Sequence, residues 1–524
     1  MTKRTVVLLV LDGWGIGRKD ESNAIYMAAP KNFNYIRSNY LAGSLQAAGI
    51  AVGLPWNESG SSEVGHMTLG AGRVLYQDYP RISLAIRDGS FFKNMELQEA
   101  VSHALRNKTK VNLVGLLGEG SEHSSFEHLE ALIKMMSDED IPYALHLFTD
   151  GIDSPPQSAV RLLGRLPQEK IGSLSGRLFA MDKDFHWDKT KACYDAMVGA
   201  VPPTTAAHNL SALLQSLYGR GLNDTFISPL VLNEGLKISA GDAVVFFNFR
   251  EDGIRQIVEM FADEEAGGKP DPAAGIFEAK KHVVPEDLYL TSFTDYGARF
   301  HMPVAFPQEK AINPLGRVLA NAGKLQLRVA ETQKYAHITY FFNGMDELPM
   351  QNEYRVVIPS RTEAQIDNYP EMRVKEVGAR VLAAINERVY DFILVNFANA
   401  DVMAHVGNTD ATQKAIIAID EQLGLLMNAV LNTDAVLIIT SDHGNAEVVL
   451  NRRTGRVETE HNSSPVPICV VANGYERQKP EHYADEIEKT SIGALSDVAP
   501  TVLELMGISK PAEMTGVSLL RFLR

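Results

Sequence analysis

The chain has 524 residues, of which 45% are hydrophobic and 22% are charged, and its formal net charge is −15 at pH 7. This composition is typical of a globular protein with about two or three domains, and the acidic balance argues against a nucleic-acid-binding surface. Only Cys193 and Cys469 are present, too few for a disulfide scaffold. The apolar run VVLLVL is too short for a membrane span or a signal peptide. We therefore expect a cytoplasmic protein with neither a membrane nor a nucleic acid as partner.

Apolar runs rich in β-branched residues alternate with segments of helical period along most of the chain. The runs predict buried strands at 6–11, 111–117, 144–148, 243–247, 288–292, 392–396, 435–440 and 466–471. The helical period predicts amphipathic helices at 96–107, 126–137, 374–388 and 411–431. Such alternation favours an α/β fold built on parallel sheets.

Three carboxylates follow directly after predicted strands, and they lie at opposite ends of the chain. Asp12 follows VVLLVL, Asp401 follows FILVNFANA and Asp442 follows AVLIITS. Ligands of open α/β sheets collect at the carboxyl ends of the strands, so these side chains are expected in one crevice. The chain between them must then leave the domain and return. We predict a discontinuous domain formed by residues 1–76 and 309–524, with a second domain, residues 77–308, inserted into it.

Histidines accompany these carboxylates at spacings that suit a metal site. His405 lies four residues after Asp401, on the same face of a helix, and His443 directly follows Asp442 in a predicted turn before a glycine. His461 is a further candidate. Each motif alone also fits a capping residue, a polar loop or a structural histidine. Together the oxygen and imidazole ligands suit Mn²⁺ or Zn²⁺, with Co²⁺ or Fe²⁺ as alternatives, and two ions would stabilise an in-line displacement.

Ser62 lies in the segment GSSEVGHM, between glycines at positions 60 and 65. A serine hydroxyl is a weak nucleophile at neutral pH unless a base or a metal ion activates it. Small neighbours are expected to give an incoming phosphate access to the backbone. A plain polar turn fits the same segment, so the spacing alone leaves both interpretations open.

Six segments resemble the cofactor-independent phosphoglycerate mutases of the alkaline phosphatase superfamily: VLDGWG, GSSEVGHMTLGAGR, ETQKYAHITYFFNG, NFANADVMAHVGN, TSDHGNAE and LSDVAPTVLELMG. Three segments of the middle region, FTDGIDSPP, GRLFAMDKD and FFNFRED, also match. The resemblance covers essentially the whole chain in order. It implies an alkaline-phosphatase-like domain, two Mn²⁺ ions without an organic cofactor, and a glycolytic enzyme. We further expect a monomer.

The resemblance also implies roles for individual residues. The two metal sites would be formed by Asp12, Ser62, Asp442 and His443, and by Asp401, His405 and His461. Ser62 would take the phosphoryl group from 3-phosphoglycerate and return it to O2 of the bound glycerate, while Lys334 balances its charge. In the inserted domain, His123, Asp153 and Arg250 would hold glycerate, and Asp153 would exchange protons with its hydroxyls.

The substrate clamp departs from the family pattern, whereas the metal and nucleophile positions match it. Ile152 and Gly253 stand where arginines are expected, and Lys183 and Lys189 replace two further arginines that bind substrate. Lysine cannot reproduce the bidentate fork of arginine. The change fits compensated drift, or a related phosphorylated or phosphonylated hydroxy acid as substrate. A phosphohydrolase is a further alternative, and a non-catalytic binding protein would require lost metal ligands.

Overall fold

The computed structural model describes residues 4–204, 209–261 and 282–524. The chain forms two compact units, one comprising Met1–Gln77 and Glu309–Arg524 and the other Asp78–Gln308. The strands, in chain order, are β1 Val6–Leu11, β2 Leu41–Gln46, β3 Val111–Leu117, β4 Tyr143–Thr149, β5 Ile171–Gly176, β6 Leu230–Val231, β7 Ala243–Phe246, β8 Tyr289–Ser292, β9 Gln326–Glu331, β10 Glu353–Ile358, β11 Phe392–Phe397, β12 Val436–Thr440, β13 Val466–Val471 and β14 Gly493–Ala494.

The α-helices connect and cover these strands. In chain order they are α1 Ala24–Ala28, α2 Lys31–Asn39, α3 Ser62–Ala71, α4 Asp78–Asp88, α5 Met95–Asn107, α6 Phe126–Asp138, α7 Ala159–Leu163, α8 Arg177–Ala180, α9 Trp187–Met197, α10 Leu210–Gly219, α11 Arg255–Glu259, α12 Leu315–Asn321, α13 Val374–Glu387, α14 Asn399–Val406, α15 Thr409–Thr433, α16 Glu481–Glu488 and α17 Val498–Leu505.

The sheet of the first unit has eight strands in the order β10-β9-β11-β1-β12-β13-β2-β14. The strands from β10 to β12 are parallel, and β1 and β11 at the centre are buried along their whole length. The exception is β13, which is antiparallel to both neighbours. The chain between β12 and β13 contains no α-helix in this described stretch, and antiparallel neighbours need no crossover helix. The α/β class is confirmed, and β13 is the departure from a purely parallel arrangement in the sheet of the first unit.

The sheet of the second unit has six strands in the order β6-β5-β4-β3-β7-β8. All its pairs are parallel except β5 with β6. Apolar residues of β3, β4, β7, α5 and α6 share one core. The carboxyl ends of β3, β4, β5 and β7 are therefore neighbours at one edge, and the loops that follow them carry the polar residues of this unit.

One helix of the described residues, α15, is long and apolar enough to cross a membrane. Its residues Ile416, Ile419 and Leu423 lie in the core of the first unit, together with residues of β1 and β11. A buried core helix passes the same test of length and composition. The helix therefore gives no support to a membrane partner.

Candidate metal centre and nucleophile

Four adjacent strands of the first unit, β9, β11, β1 and β12, end at one edge, and each leads directly into candidate site residues. Asp12 follows β1, and Asp442 and His443 follow β12. Asp401 and His405 lie one turn apart on α14, on the same face. The turn Thr332–Lys334 follows β9 and brings a lysine to the same edge.

Ser62 begins α3, directly after the N-cap Ser61, whose hydroxyl accepts a hydrogen bond from the N–H of Val64. The two glycines beside it allow close packing. A Cβ on Gly60 would lie 2.5 Å from Cβ of His443, and a Cβ on Gly65 would lie 2.5 Å from the carbonyl oxygen of Asp442. Because these glycines have no side chains, α3 can approach the loop that carries the candidate ligands Asp442 and His443.

Asp401, His405 and His461 direct three ligand atoms to one point. Oδ1 of Asp401 lies 3.3 Å from Nε2 of each histidine, and the two Nε2 atoms are 2.9 Å apart. The Nδ1 atoms donate to the carbonyl oxygens of Thr459 and Gly60, so in neutral rings both Nε2 atoms are bare lone pairs. Two lone pairs at this distance repel each other unless a proton or a metal ion lies between them.

The second group consists of Asp12, Ser62, Asp442 and His443. Nε2 of His443 lies 2.8 Å from Oγ of Ser62, 3.6 Å from Oδ1 of Asp12 and 3.5 Å from Oδ2 of Asp442. All four residues are buried. Neighbouring ligands of an ion with bonds of about 2.1 Å have similar spacings. The donor atoms of both groups thus fit divalent metal ions.

The two groups are adjacent. Nε2 of His443 lies 3.9 Å from Oδ1 of Asp401, and the rings of His443 and His461 are stacked with centroids 3.7 Å apart. The ammonium of Lys334 lies 2.7 Å from Oδ1 of Asp12 and 2.8 Å from Oδ2 of Asp401. This buried lysine therefore joins a carboxylate of one group to a carboxylate of the other.

The clustering of charge changes the acidities of these groups. Burial and the neighbouring Asp442 raise the pKa of Asp12 to about 6. Burial alone would also raise the pKa of Asp442, but His443 and His66 outweigh it and lower that pKa. Burial disfavours the charged form of Lys334, yet the surrounding carboxylates raise its pKa above the ordinary value. The cluster therefore contains the charged ammonium of Lys334 and several buried carboxylates, which a bound cation would stabilise.

Four buried residues that support these groups were not singled out from the sequence. His66 contacts Asp442 at 3.1 Å, and Asn396 donates to Oδ2 of Asp12 at 2.6 Å. The side chain of Asn445 donates to Oδ1 of Asp401 at 2.8 Å. Glu447 accepts hydrogen bonds from the N–H groups of Gly15 and Asn445, both at 2.9 Å. His66 lies in the segment GSSEVGHM, and Asn445 and Glu447 lie in TSDHGNAE. The neighbours of these three residues in the sequence are apolar or small, so the sequence alone did not indicate that they support metal ligands.

A cavity of about 500 Å³ opens over this cluster, lined by residues that include Ser62, Lys334, His337 and His461. Burial lowers the pKa of His337 to about 3, so its ring is neutral at physiological pH. The walls thus combine a serine hydroxyl, an ammonium and imidazoles. Such a cavity can accept a phosphate ester.

Of the residues predicted to hold glycerate, His123, Asp153 and Arg250 lie in the loops after β3, β4 and β7 of the second unit. Lys183 follows α8 and Lys189 lies on α9. Nδ1 of His123 lies 2.7 Å from Oδ2 of Asp153, and its Nε2 lies 3.4 Å from Oδ1 of Asp252. Arg250 and Lys183 also approach Asp252, at 3.4 Å and 3.9 Å. The structure therefore brings three predicted residues together around Asp252, a carboxylate that was not predicted, and places Asp153 on the other side of His123.

The positions that depart from the family pattern have different surroundings in the structure. Ile152 is 66% exposed, so no core packing requires an apolar side chain there. A Cβ on Gly253 would lie 2.6 Å from the methyl carbon of Met181, and Arg255 is engaged by the carbonyl oxygen of Tyr296. Within the described residues, Lys189 forms no ion pair with the cluster. Because Arg255 binds Tyr296 and Glu251, it does not replace the arginine expected at position 253.

Comparison with known proteins identifies the family. Residues 4–510 match the Metalloenzyme superfamily. The chain is 38% identical to 2,3-bisphosphoglycerate-independent phosphoglycerate mutase 2 of Methanosarcina barkeri, over 99% of each chain. It is 39% identical to the corresponding mutase of Clostridium botulinum, over 99% of this chain and 100% of that one. The chain belongs to the 2,3-bisphosphoglycerate-independent phosphoglycerate mutases.

A solved structure agrees with this assignment to the mutases. Leishmania mexicana phosphoglycerate mutase, determined at low cobalt concentration, aligns with a TM-score of 0.53 and 26% identity over 99% of this chain and 98% of that one. Membership in this family of metalloenzymes confirms the predicted resemblance, the α/β class and the dependence on metal. The mutase family also indicates a small phosphorylated substrate.

Proposed function

We propose that the chain interconverts 3-phosphoglycerate and 2-phosphoglycerate through a phosphoserine at Ser62. One observation carries this proposal. Oγ of Ser62 lies 2.8 Å from both Nε2 of His443 and Nζ of Lys334, beside two groups of metal-ligand atoms. A hydroxyl held between an imidazole nitrogen and an ammonium, in a buried site, is a nucleophile prepared for a phosphate ester.

We assign two Mn²⁺ ions to the two groups of ligand atoms. Asp12, Ser62, Asp442 and His443 would hold one ion, and Asp401, His405 and His461 would hold the other. Hard oxygen and imidazole donors without a thiolate support this choice, and Zn²⁺, Co²⁺ or Fe²⁺ use the same donors. Bound ions would lower the pKa of the serine hydroxyl and screen the charge of the phosphate. No organic cofactor is assigned.

In the first half-reaction, Oγ of Ser62 gives up its proton and attacks the phosphorus of 3-phosphoglycerate. The bond between phosphorus and O3 breaks, and the released O3 takes up a proton from the group that exchanges protons with glycerate. Lys334 donates a hydrogen bond to Oγ in the resting protein, and its ammonium compensates the negative charge of the transferring group. The product is a phosphoserine with bound glycerate.

In the second half-reaction, O2 of the glycerate attacks the phosphoserine and gives up its proton. The proposal assigns the holding of glycerate to the second unit, through His123, Lys183, Lys189 and Arg250, with Asp153 as the group that exchanges protons. The contact of 2.7 Å between His123 and Asp153 supports this assignment, since the imidazole orients the carboxylate.

Similarity to mutases along the full length of the chain favours this activity over a phosphohydrolase. A hydrolase would use the same serine but would not need a second unit with its own polar cluster. We also propose a cytoplasmic monomer. The two cysteines, which are buried and free, support the cytoplasmic location.

The substrate is tested with Mn²⁺-loaded protein and a panel of phosphate esters at equal concentration. The panel contains 3-phosphoglycerate and other phosphorylated hydroxy acids that carry a second, free hydroxyl, such as 4-phosphoerythronate, and kcat/KM for isomerisation is measured for each. The proposal predicts the highest value for 3-phosphoglycerate. A higher value for another hydroxy acid would assign the altered clamp to a changed substrate.

A further inference from the structure

We propose that Arg177 is a positioning residue that holds the carboxylate of Asp153 for the acceptor hydroxyl, an inference that rests on the proposed function. Arg177 begins α8, directly after β5. Its Nη1 atom lies 2.5 Å from Oδ1 of Asp150 and 3.1 Å from Oδ2 of Asp153. One guanidinium nitrogen therefore bridges two carboxylates that belong to the loop after β4.

Asp153 is held from two sides. Its Oδ2 atom contacts Nδ1 of His123, from the loop after β3, and Nη1 of Arg177, from the helix after β5. The side chains of Arg177 and Asp153 are each 12% exposed, so water screens their interaction weakly. Both contacts use Oδ2, which leaves Oδ1 to accept the proton of an acceptor hydroxyl.

Asp150 explains why a cation is needed at this place. Its side chain is fully buried, and its Oδ1 atom accepts hydrogen bonds from the N–H groups of Ile152 and Asp153 at 3.2 Å and 3.1 Å. The other oxygen of Asp150 has no hydrogen-bond partner among the described residues. Arg177 neutralises this buried carboxylate, and by doing so it fixes the turn that carries Asp153.

The other cations of the cluster serve a different carboxylate. Lys183 and Arg250 lie near Asp252, which contacts the opposite nitrogen of His123. Ile152, in the same turn as Asp153, carries no charge. Among the residues that the structure describes, Arg177 is the one lysine or arginine within 4.0 Å of a carboxylate oxygen of Asp153. The proton acceptor of the second half-reaction thus depends on this cation.

The role in the reaction follows from the proton balance. When O2 of glycerate attacks the phosphoserine, the new O2–phosphorus bond forms and the old bond to Oγ of Ser62 breaks, leaving its electron pair on Oγ. The proton of the O2 hydroxyl passes to Oδ1 of Asp153. A carboxylate that is displaced from the acceptor hydroxyl cannot take up this proton efficiently, and water then competes with glycerate for the phosphoserine.

The test compares Arg177→Gln and Arg177→Lys with the unmodified protein, all loaded with Mn²⁺. Arg106→Gln is the matched control, because Arg106 pairs with Glu99 at the surface of the same unit. Phosphorus NMR follows 3-phosphoglycerate, 2-phosphoglycerate and inorganic phosphate together. Mn²⁺ affinity and the thermal unfolding midpoint are measured for each protein.

For Arg177→Gln we expect kcat to fall about 100-fold, as for a misplaced catalytic group. We also expect the ratio of inorganic phosphate to 2-phosphoglycerate to rise, with unchanged Mn²⁺ affinity. Arg177→Lys should have a kcat and a product ratio between those of Arg177→Gln and the unmodified protein. Arg106→Gln should match the unmodified protein in both. A loss of packing alone would lower activity without changing the product ratio.

Two results would overturn the inference. One is a folded Arg177→Gln protein with the kcat and product ratio of the unmodified protein. If Arg177→Gln does not fold, Arg177→Lys decides, and an unmodified product ratio in that variant contradicts the positioning role. If the unmodified protein makes no 2-phosphoglycerate, the proposed function fails first and the inference fails with it.

Discussion

The ammonium of Lys334 donates a hydrogen bond of 2.8 Å to Oγ of Ser62. The same nitrogen lies within 2.8 Å of carboxylate oxygens of Asp12 and Asp401. These carboxylates hold the lysine in its charged form, so its ammonium keeps a positive charge and a hydrogen-bond donor beside the nucleophile. The lysine can therefore stabilise negative charge on the serine oxygen and on a phosphoryl group bound to it.

Replacing Lys334 by methionine should lower kcat by about 100-fold or more, the usual cost of removing one preorganised donor from a transition state. The control is Lys324→Met, because Lys324 lies 3.8 Å from Asp391 and away from the serine. Rates of 2-phosphoglycerate formation are compared at saturating Mn²⁺. Equal rates for the two variants would contradict the role of Lys334.

Ser62→Ala should abolish transfer and the formation of phosphoserine, because no other hydroxyl replaces the nucleophile. Ser61→Ala is the matched control. It removes the N-cap of α3 and should cost about 1 kcal/mol of stability, yet it leaves Oγ of Ser62 in place. Both proteins are incubated with 3-phosphoglycerate, and the phosphoenzyme is detected by mass spectrometry. Transfer by a folded Ser62→Ala protein would refute the phosphoserine mechanism.

Glu447 should support the metal centre through the backbone. Its Oε2 atom accepts from the N–H groups of Gly15 and Asn445, and the side chain of Asn445 contacts Asp401. Glu447→Ala should therefore weaken Mn²⁺ binding by about 10–100-fold, as for other groups that orient ligands. Glu447→Gln keeps an acceptor oxygen and should bind Mn²⁺ more tightly than Glu447→Ala. Calorimetric titration with Mn²⁺ checks this order, and equal affinities in all three proteins would contradict it.

Two buried histidines should make the second unit sensitive to acid. Burial lowers the pKa of His128 and of His146 to about 3, whereas an unfolded histidine titrates near 6.5. Both rings are thus neutral in the folded unit. Their contribution to the free energy of unfolding is fully present above about pH 6.5 and is lost as the pH falls toward 3. By pH 5 each should lose about 2 kcal/mol.

Urea unfolding between pH 7 and pH 5 measures this loss. Trp187 lies in the second unit, so a background with Trp14→Phe and Trp56→Phe makes its fluorescence specific for that unit. His146→Gln should show a flatter dependence on pH, because one of the two titrating groups is gone. An unfolding midpoint that does not change from pH 7 to pH 5 would contradict the neutral, buried state of these rings.

Continuous apolar runs made part of the fold predictable. The predicted bounds of β1, β3 and β13 equal the observed ones, since buried β-branched residues have few other arrangements. The strand β5, with the sequence IGSLSG, was missed because its small residues carry no hydrophobic pattern. The strand β9, QLRVAE, was missed because Arg328 is fully buried there, under Phe342 and Phe392. Such tertiary contacts leave no local signal.

The candidate site was predictable to a similar extent. The carboxylates that follow predicted strands could be placed in one site from the sequence, because parallel strands have their carboxyl ends at the same edge of the sheet. The helix α3 was missed because it contains Gly65 and Gly70, and glycine has a low helix propensity. Gly65 is needed there for close packing against the loop that carries Asp442. Arg177 was missed for another reason. Its partners Asp150 and Asp153 lie on a neighbouring strand end, so only the fold brings the three together.

Phosphorus NMR of Mn²⁺-loaded protein with 3-phosphoglycerate tests the central claim most directly. The serine-based transfer predicts that 2-phosphoglycerate appears and reaches a constant ratio to 3-phosphoglycerate, without inorganic phosphate. Exhaustive treatment with EDTA should stop the conversion, and added Mn²⁺ should restore it. Release of inorganic phosphate without 2-phosphoglycerate, or full conversion in EDTA, would contradict the account.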